Sequence, residues 1–160
     1  MNEALKEIIN RIKQELHDRP DGVIAGEINN GFKGDMITDN PVVYKYFEFL
    51  KETNGASFGD IDFYDYDRIL KYQFRVLSIP GGEDKWFCIG QILYEPMVLN
   101  KTDSKVYRFY QGFESSISGT CFGYFDDFLK DYVFGKKYAD IIPDAEDDEW
   151  YQLLKKIKLA

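Results

Sequence analysis

The densest group of side chains that could bind a metal or transfer protons is a set of four aspartates in the middle of the chain: Asp60, Asp62, Asp65 and Asp67. A calcium loop of the EF-hand type needs a glycine at its sixth position and an acidic ligand at its twelfth. Counted from Asp60, the sixth position is Asp65 and the twelfth is Lys71, so the spacing does not fit. The four aspartates therefore require another explanation.

An extended strand through this segment would separate its polar and apolar side chains. Side chains alternate between the two faces of a strand, so Asp60, Asp62 and Tyr64 would share one face, opposite Ile61 and Phe63. This pattern favours a solvated strand face first and an acidic face that contacts a partner second. A metal site is a distant third.

The sequence gives little support for catalysis by histidine, for acid–base catalysis by paired carboxylates or for phosphate binding. His17 is the only histidine, and its place at the end of an N-terminal helix favours a solvated side chain over a catalytic one. With 28 acidic residues, pairs of neighbouring carboxylates arise by chance and do not indicate acid–base catalysis. The glycines at 81–82 and between 26 and 34 match no phosphate-binding loop. We therefore expect no enzyme activity, no cofactor and no metal.

Four helices are predicted from hydrophobic periodicity and end signals: residues 5–16, 41–53, 125–133, and a last helix that begins after Pro143. The second of these has Asp39 or Asn40 as its N-cap and Pro41 in its first turn. It is expected to end at Asn54-Gly55, because glycine tolerates the left-handed conformation common at helix C-termini.

A block of strands is predicted between the second and third helices: residues 58–66, 74–79, 85–89, 91–99 and 105–111. Strands that follow one another through short turns pair antiparallel. The expected fold class is therefore α+β, with one domain over residues 1–160 that holds a mixed, mainly antiparallel β-sheet flanked by N- and C-terminal helices.

Composition bounds the partners that the chain can have. A net charge of −8 disfavours nucleic acid and anionic membranes and favours a basic protein partner. The 12 Tyr and 13 Phe exceed the needs of a core of this size, so we expect some aromatic side chains at an interface. Cys88 and Cys121 are expected to be buried free thiols, and the chain shows no signal peptide or membrane span, which predicts a cytoplasmic location.

Three groups of residues, in order between positions 40 and 134, resemble the SUKH superfamily of Smi/Knr-like proteins. The first consists of an aromatic helix end, an Asn-Gly stop and a Phe-Gly-Asp-Ile strand entry: Tyr46, Phe49, Leu50, Asn54, Gly55, Phe58, Gly59, Asp60 and Ile61. The second is Phe87-Cys88-Ile89-Gly90 with Pro96-Met97-Val98-Leu99 and Lys105-Val106-Tyr107; the third is Phe125-Asp126-Asp127-Phe128-Leu129. The chain departs from the usual pattern at Ala56 and Ser104, where that family often has glycine.

The resemblance implies a single non-catalytic α+β domain. Bacterial members of the superfamily are mostly immunity proteins that bind and neutralise toxins, many of them nucleases, and eukaryotic members are regulatory or scaffolding proteins. We therefore expect an immunity protein (antitoxin) that binds a cognate toxin, with a basic nuclease domain as the expected partner. The alternative is a non-catalytic scaffold or regulatory module of the same fold.

The expected partner-binding residues are acids and aromatics of the central strands: Asp60, Asp62, Tyr64, Asp65, Asp67, Glu83, Asp84, Trp86, Tyr107 and Tyr110. The acidic run over residues 126–149, with nine acids against three lysines, is the next candidate surface.

Overall fold

The computed structural model describes residues 1–111 and 117–160, and a seven-stranded sheet is the centre of this part of the chain. Each strand pairs antiparallel with the next in chain order. The strands are β1 (Gly26–Ile28), β2 (Ala56–Phe58), β3 (Ile61–Phe63), β4 (Trp86–Ile92), β5 (Glu95–Asn100), β6 (Lys105–Gln111) and β7 (Ile117–Tyr124). The α+β class and the antiparallel sheet flanked by helices are confirmed.

The helices precede, interrupt and follow the sheet: α1 (Glu3–His17), α2 (Gly22–Ala25), α3 (Pro41–Thr53), α4 (Tyr66–Tyr72), α5 (Gly82–Lys85), α6 (Phe125–Phe128), α7 (Tyr138–Ile141) and α8 (Glu149–Lys156). Short 3₁₀ turns lie at Gln73–Val76 and Ala145–Asp147, and a π-helical turn at Leu129–Val133 extends α6. None of the helices in the described ranges is long and apolar enough to cross a membrane.

Helix α3 has the end signals that its sequence predicts. The Asn40 side chain accepts hydrogen bonds from the N–H groups of Val42 (2.9 Å) and Val43 (3.2 Å), which satisfies donors that the first helical turn leaves unpaired. Asn54 ends the helix in the left-handed conformation at φ 36°, and Gly55 follows at φ 88°. Both predicted ends are confirmed, and Asn40 is the N-cap.

One face of the sheet packs against α3 and the C-terminal helices through an aromatic core. Tyr46 and Phe49 of α3 contact Phe63 of β3 and Phe125 of α6, with ring centroids 5.0–6.5 Å apart. The Tyr46 hydroxyl lies 2.7 Å from the Tyr64 carbonyl oxygen and 3.0 Å from that of Ile89, and burial raises the pKa of this phenol. This core fixes β3 and β4, which carry the strand residues discussed below.

On the opposite side, the connection from β3 to β4, which contains α4, a 3₁₀ turn and α5, packs against β4 and β5. Gln73 anchors this connection, because its side-chain amide accepts from the Cys88 N–H (2.9 Å) and donates to the Cys88 carbonyl (2.8 Å). The predicted strand at residues 74–79 is therefore wrong, and so is the extension of the preceding strand to residue 66. A single side chain makes the bonds that a neighbouring strand would make.

Three further predictions need correction. The predicted strand at residues 91–99 is divided by a tight turn at Leu93 and Tyr94, between β4 and β5. The last helix begins at Glu149, because Asp148 caps it by accepting from the backbone N–H groups of Trp150 and Tyr151. Cys121 is exposed, whereas Cys88 is buried as expected.

Candidate protein-binding surface

The predicted acidic face is occupied by an internal ion-pair cluster, which we define as Asp62, Asp65 and Arg68. The Arg68 guanidinium contacts both Asp62 oxygens at 2.8 and 3.2 Å and an Asp65 oxygen at 3.1 Å. It also donates to the Phe63 carbonyl oxygen at 3.0 Å. Because Asp65 accepts from the Arg68 N–H and so caps α4, this cluster fixes α4 on the sheet. These two carboxylates have local structural partners.

The other predicted acids lie apart from one another. Asp60 is in the turn between β2 and β3, at the far end of β3 from Asp65, and its N–H donates to the Tyr138 hydroxyl (3.2 Å). Asp67 is exposed on α4, while Glu83 and Asp84 are exposed on α5. The predicted acids thus form no single patch in the structure.

Two of the predicted interface aromatics are buried, which contradicts the expectation that they face outwards. Tyr64 is 3% exposed, with the Arg68 guanidinium 5.1 Å from its ring centroid and its hydroxyl accepting from Arg75. Trp86 is 4% exposed and donates from Nε1 to the Pro80 carbonyl (2.9 Å). The physical reason is that the connection between β3 and β4 covers the face that alternation assigns to solvent.

The remaining predicted aromatics keep some exposure. Tyr107 is half-buried, and its ring lies 5.1 Å from that of Trp86. Its hydroxyl donates to an Asp103 oxygen at 2.8 Å, and this bond raises the pKa of the phenol. Tyr110 is 51% exposed at the end of β6. Tyr110 is thus the predicted aromatic that lies most openly on the surface.

A group of exposed aromatic side chains surrounds Arg75 beside the covered face of the sheet. We define the aromatic surface as Tyr72, Phe74, Arg75, Tyr94 and Tyr110. Phe74 is 60% exposed and, with Arg75, Tyr94 and Tyr110, lines a groove of about 350 Å³. The rings of Tyr72 and Phe74 lie 6.0 Å apart in a tilted arrangement, and both line an adjoining groove with Arg75. Clustered exposed aromatics are typical of protein-binding surfaces.

The turn that presents Tyr94 is strained. Leu93 and Tyr94 have φ values of 51° and 68°, which is the left-handed backbone of a type I′ turn. Asparagine and glycine normally occupy such positions, because larger side chains clash there. Tyr94 is nevertheless 84% exposed, so little packing of its ring offsets the strain. Because burial of the Tyr94 ring does not offset the backbone strain, a contribution to stability does not explain a tyrosine at this position, and a role in function does.

Arg75 connects this turn to the rest of the surface. Its guanidinium donates to the Tyr64 hydroxyl, to Gln91 Oε1 at 3.0 Å and to the Tyr94 carbonyl at 2.6 Å. The bond to the Tyr94 carbonyl holds the turn in place. All three acceptors are neutral, so none of these partners is a carboxylate that would pair with the positive charge of Arg75. Arg75 therefore fixes the backbone position of Tyr94 and also lines the groove itself.

Within residues 1–111 and 117–160, no three His, Cys, Asp or Glu side chains are grouped so as to hold a metal ion. His17 is exposed at the end of α1, as predicted. Burial raises the pKa of the Cys88 thiol to about 11, which keeps it protonated and unreactive.

The second candidate surface, residues 126–149, is partly neutralised within the fold. Lys137 pairs with Asp131 at 2.8 Å and Lys155 with Glu146 at 2.5 Å. The other exposed acids of this run are Asp127, Asp140, Asp144, Asp147 and Glu149. This region supplies negative charge but none of the exposed aromatics found around Arg75.

Comparison of the chain with protein-family models, with curated proteins and with solved structures found no match.

Most of the aromatic surface was missed from the sequence. Phe74 falls in the stretch wrongly predicted as a strand, and Tyr94 falls in the turn, which lacks any asparagine or glycine. One signal was present: the number of Tyr and Phe residues predicts exposed aromatics, although not their positions.

Proposed function

We propose that this protein is an immunity protein that binds a cognate toxin domain through the aromatic surface and neutralises it stoichiometrically. The observation that carries the proposal is the group of exposed aromatics around Arg75, one of them presented by a strained turn. The resemblance to the SUKH superfamily supports the immunity role, and its expected α+β class agrees with the fold.

Charge and contact play separate parts in this proposal. The net charge of −8 attracts a basic nuclease domain over a distance and speeds association. The contact itself is made by aromatic rings, which bury large areas at a small loss of side-chain entropy. Glu95 lines the groove but pairs with Arg108 at 3.2 Å, so the contact surface is not itself strongly acidic.

The proposal is tested by co-expression with the C-terminal domain of a toxin encoded beside this chain. We expect the wild-type chain to restore growth and to co-purify with the toxin domain. The variant Phe74→Ala/Tyr94→Ala should lose both properties, because it truncates the two most exposed rings of the groove. The matched control Asp67→Ala/Glu83→Ala, which removes two exposed acids, should retain them.

Two outcomes would contradict the proposal. Loss of protection in the acidic control, with full protection by the aromatic variant, would move the interface to the acids. Binding without any effect on growth would favour the scaffold or regulatory module, which has the same kind of surface and no toxin to neutralise.

A further inference from the structure

The two edges of the sheet differ in length and cover. Strand β1 has three residues and is flanked in the chain by α2, which contacts both α1 and α8. Strand β7 has eight residues, and four consecutive ones, 118–121, are exposed. In the described part of the chain, β6 is the only strand paired with β7, so the other row of backbone groups of β7 faces outwards.

Strand β7 lacks the devices that normally protect an edge. Its sequence, Ile-Ser-Gly-Thr-Cys-Phe-Gly-Tyr, contains no charged residue and no proline. The irregularity in its pairing with β6 lies towards its C-terminal end, between Val106 and Tyr107, and residues 117–121 pair in regular register. A long, uncharged and regular edge strand is a template for another strand.

An aromatic pocket of about 380 Å³ adjoins this edge. Its walls include the rings of Trp86, Tyr107 and Phe109, together with Ile117 and Gly119 of β7. The absence of a side chain at Gly119 leaves room for the Phe109 ring, because a Cβ at this position would lie 2.7 Å from that ring. Phe109 also lines the groove of the aromatic surface, so the pocket and the groove lie on either side of a shared residue.

We propose, on the basis of the function above, that the partner adds an extended strand to β7 and inserts a large apolar side chain into this pocket. Backbone hydrogen bonds along the edge supply affinity, and the pocket selects one alternate side chain of the added strand. The aromatic surface then contacts the rest of the partner.

A second copy of this chain fits the edge less well. Two copies would each carry a net charge of −8 and repel one another, whereas a basic partner is attracted. In a dimer, the β7 strand of the second copy would also present only small side chains to the pocket. The central residues of β7 on the same face as Phe109 are Gly119 and Cys121. These would leave the pocket largely empty.

Amide hydrogen exchange of the protein, free and saturated with the purified toxin domain, tests this proposal. Because alternate N–H groups of an edge strand point outwards, we expect every second amide between residues 117 and 121 to exchange about ten-fold or more slowly in the complex. The amides of β1 serve as an internal control and should keep their rates.

The possible outcomes separate this proposal from the function on which it rests. A complex that leaves the β7 amides unchanged overturns strand addition alone. Failure of the toxin domain to bind overturns both proposals. Concentration-dependent protection of β7 in the free protein would identify a second copy as the occupant and would also overturn strand addition by the partner.

A pair of proline variants gives an independent test. The N–H groups of neighbouring residues in a strand point to opposite sides, and proline has no N–H group. Of the two variants Thr120→Pro and Cys121→Pro, one therefore removes an N–H group that points away from β6. The other removes a hydrogen bond to β6. The less destabilised of the two should bind the toxin domain at least about ten-fold more weakly. Wild-type affinity in that variant contradicts the proposal, and if neither variant folds, the exchange experiment decides.

Discussion

The ion-pair cluster and the aromatic surface are each built around an arginine, and both arginines lie on the connection between β3 and β4. Arg68 contacts two carboxylates, Asp62 and Asp65, and its charge is used to hold α4 on the sheet. Arg75 contacts three neutral acceptors and holds a strained turn with an exposed tyrosine. The comparison teaches that both arginines serve the fold, whereas the exposed rings around Arg75 have little packing of their own and are the residues that we propose for recognition.

Among single substitutions, removal of Arg75 should have the largest effect, because Arg75 connects the two regions through Tyr64. Arg75→Ala should weaken binding of the toxin domain by about 10- to 100-fold. It should also lower the free energy of unfolding by about 1–2 kcal/mol through lost hydrogen bonds. Calorimetry and urea denaturation measure the two quantities.

The control for that experiment is Arg75→Lys. One ammonium cannot reproduce the fork of a guanidinium that reaches three acceptors, so we expect an intermediate loss of affinity. If Arg75→Ala changes stability but not affinity, Arg75 belongs with Arg68 as a purely structural residue.

Removal of Arg68 should affect stability and leave binding almost unchanged. Arg68→Ala leaves Asp62 and Asp65 facing each other without their cation, and we expect a loss of about 1–2 kcal/mol in the free energy of unfolding. The exposed Asp67, on the same helix, is the matched control, and Asp67→Ala should stay within about 0.5 kcal/mol of wild type. A ten-fold loss of affinity in Arg68→Ala would erase the contrast between the two regions.

The strained turn should show stability and binding changing in opposite directions. Tyr94→Gly relieves the left-handed strain at a residue that is 84% exposed, so the free energy of unfolding should rise by about 0.5–1 kcal/mol. The affinity for the toxin domain should fall about ten-fold, because an exposed ring of the groove is lost. Unchanged affinity would mean that Tyr94 takes no part in binding.

The smallest effect concerns the two thiols. At pH 8, a maleimide reagent should modify the exposed Cys121 within minutes and leave Cys88 unmodified, because the Cys88 thiol is buried and has a pKa of about 11. Modification of Cys88 should become measurable in Arg68→Ala, whose weakened cluster lets the connection open. Equal labelling of both thiols in the wild type would show that the connection does not protect β4.

The same thiol gives a stability change with a defined sign. Since the folded state holds the Cys88 proton more tightly than the unfolded state, the unfolded state binds fewer protons above its ordinary pKa of about 9. The contribution of this group is therefore fully present below about pH 9 and is lost as the pH rises towards 11. Cys88→Ala should remove this part of the alkaline loss of stability in denaturation curves.

Sequence reasoning succeeded where a local signal determines the structure. The periodicity of α1 and the capping residues of α3 are properties of neighbouring residues, so both helices were predictable. The antiparallel sheet followed from strands joined by short turns. Gln73 and the Leu93-Tyr94 turn depend on distant partners, Cys88 and Arg75, and their own residue types give no such signal.

The candidate site was less predictable than the fold, for a related reason. Where a sheet is covered on both faces, as it is at β4, buried and exposed side chains do not alternate cleanly, so Tyr64 and Trp86 were wrongly expected on the surface. The aspartates next to them suggested an acidic contact, but Arg68 engages two of those carboxylates. An arginine six positions from Asp62 carries no pattern that would reveal this ion pair.

The claim that the aromatic surface binds the partner is tested most directly by isothermal titration calorimetry with the purified toxin domain. We expect Phe74→Ala/Tyr94→Ala to bind about 100-fold or more weakly than wild type, with an unchanged denaturation midpoint. The acidic control Asp67→Ala/Glu83→Ala should stay within about three-fold of wild type. Wild-type affinity in the aromatic variant, together with a large loss in the acidic control, would contradict the claim.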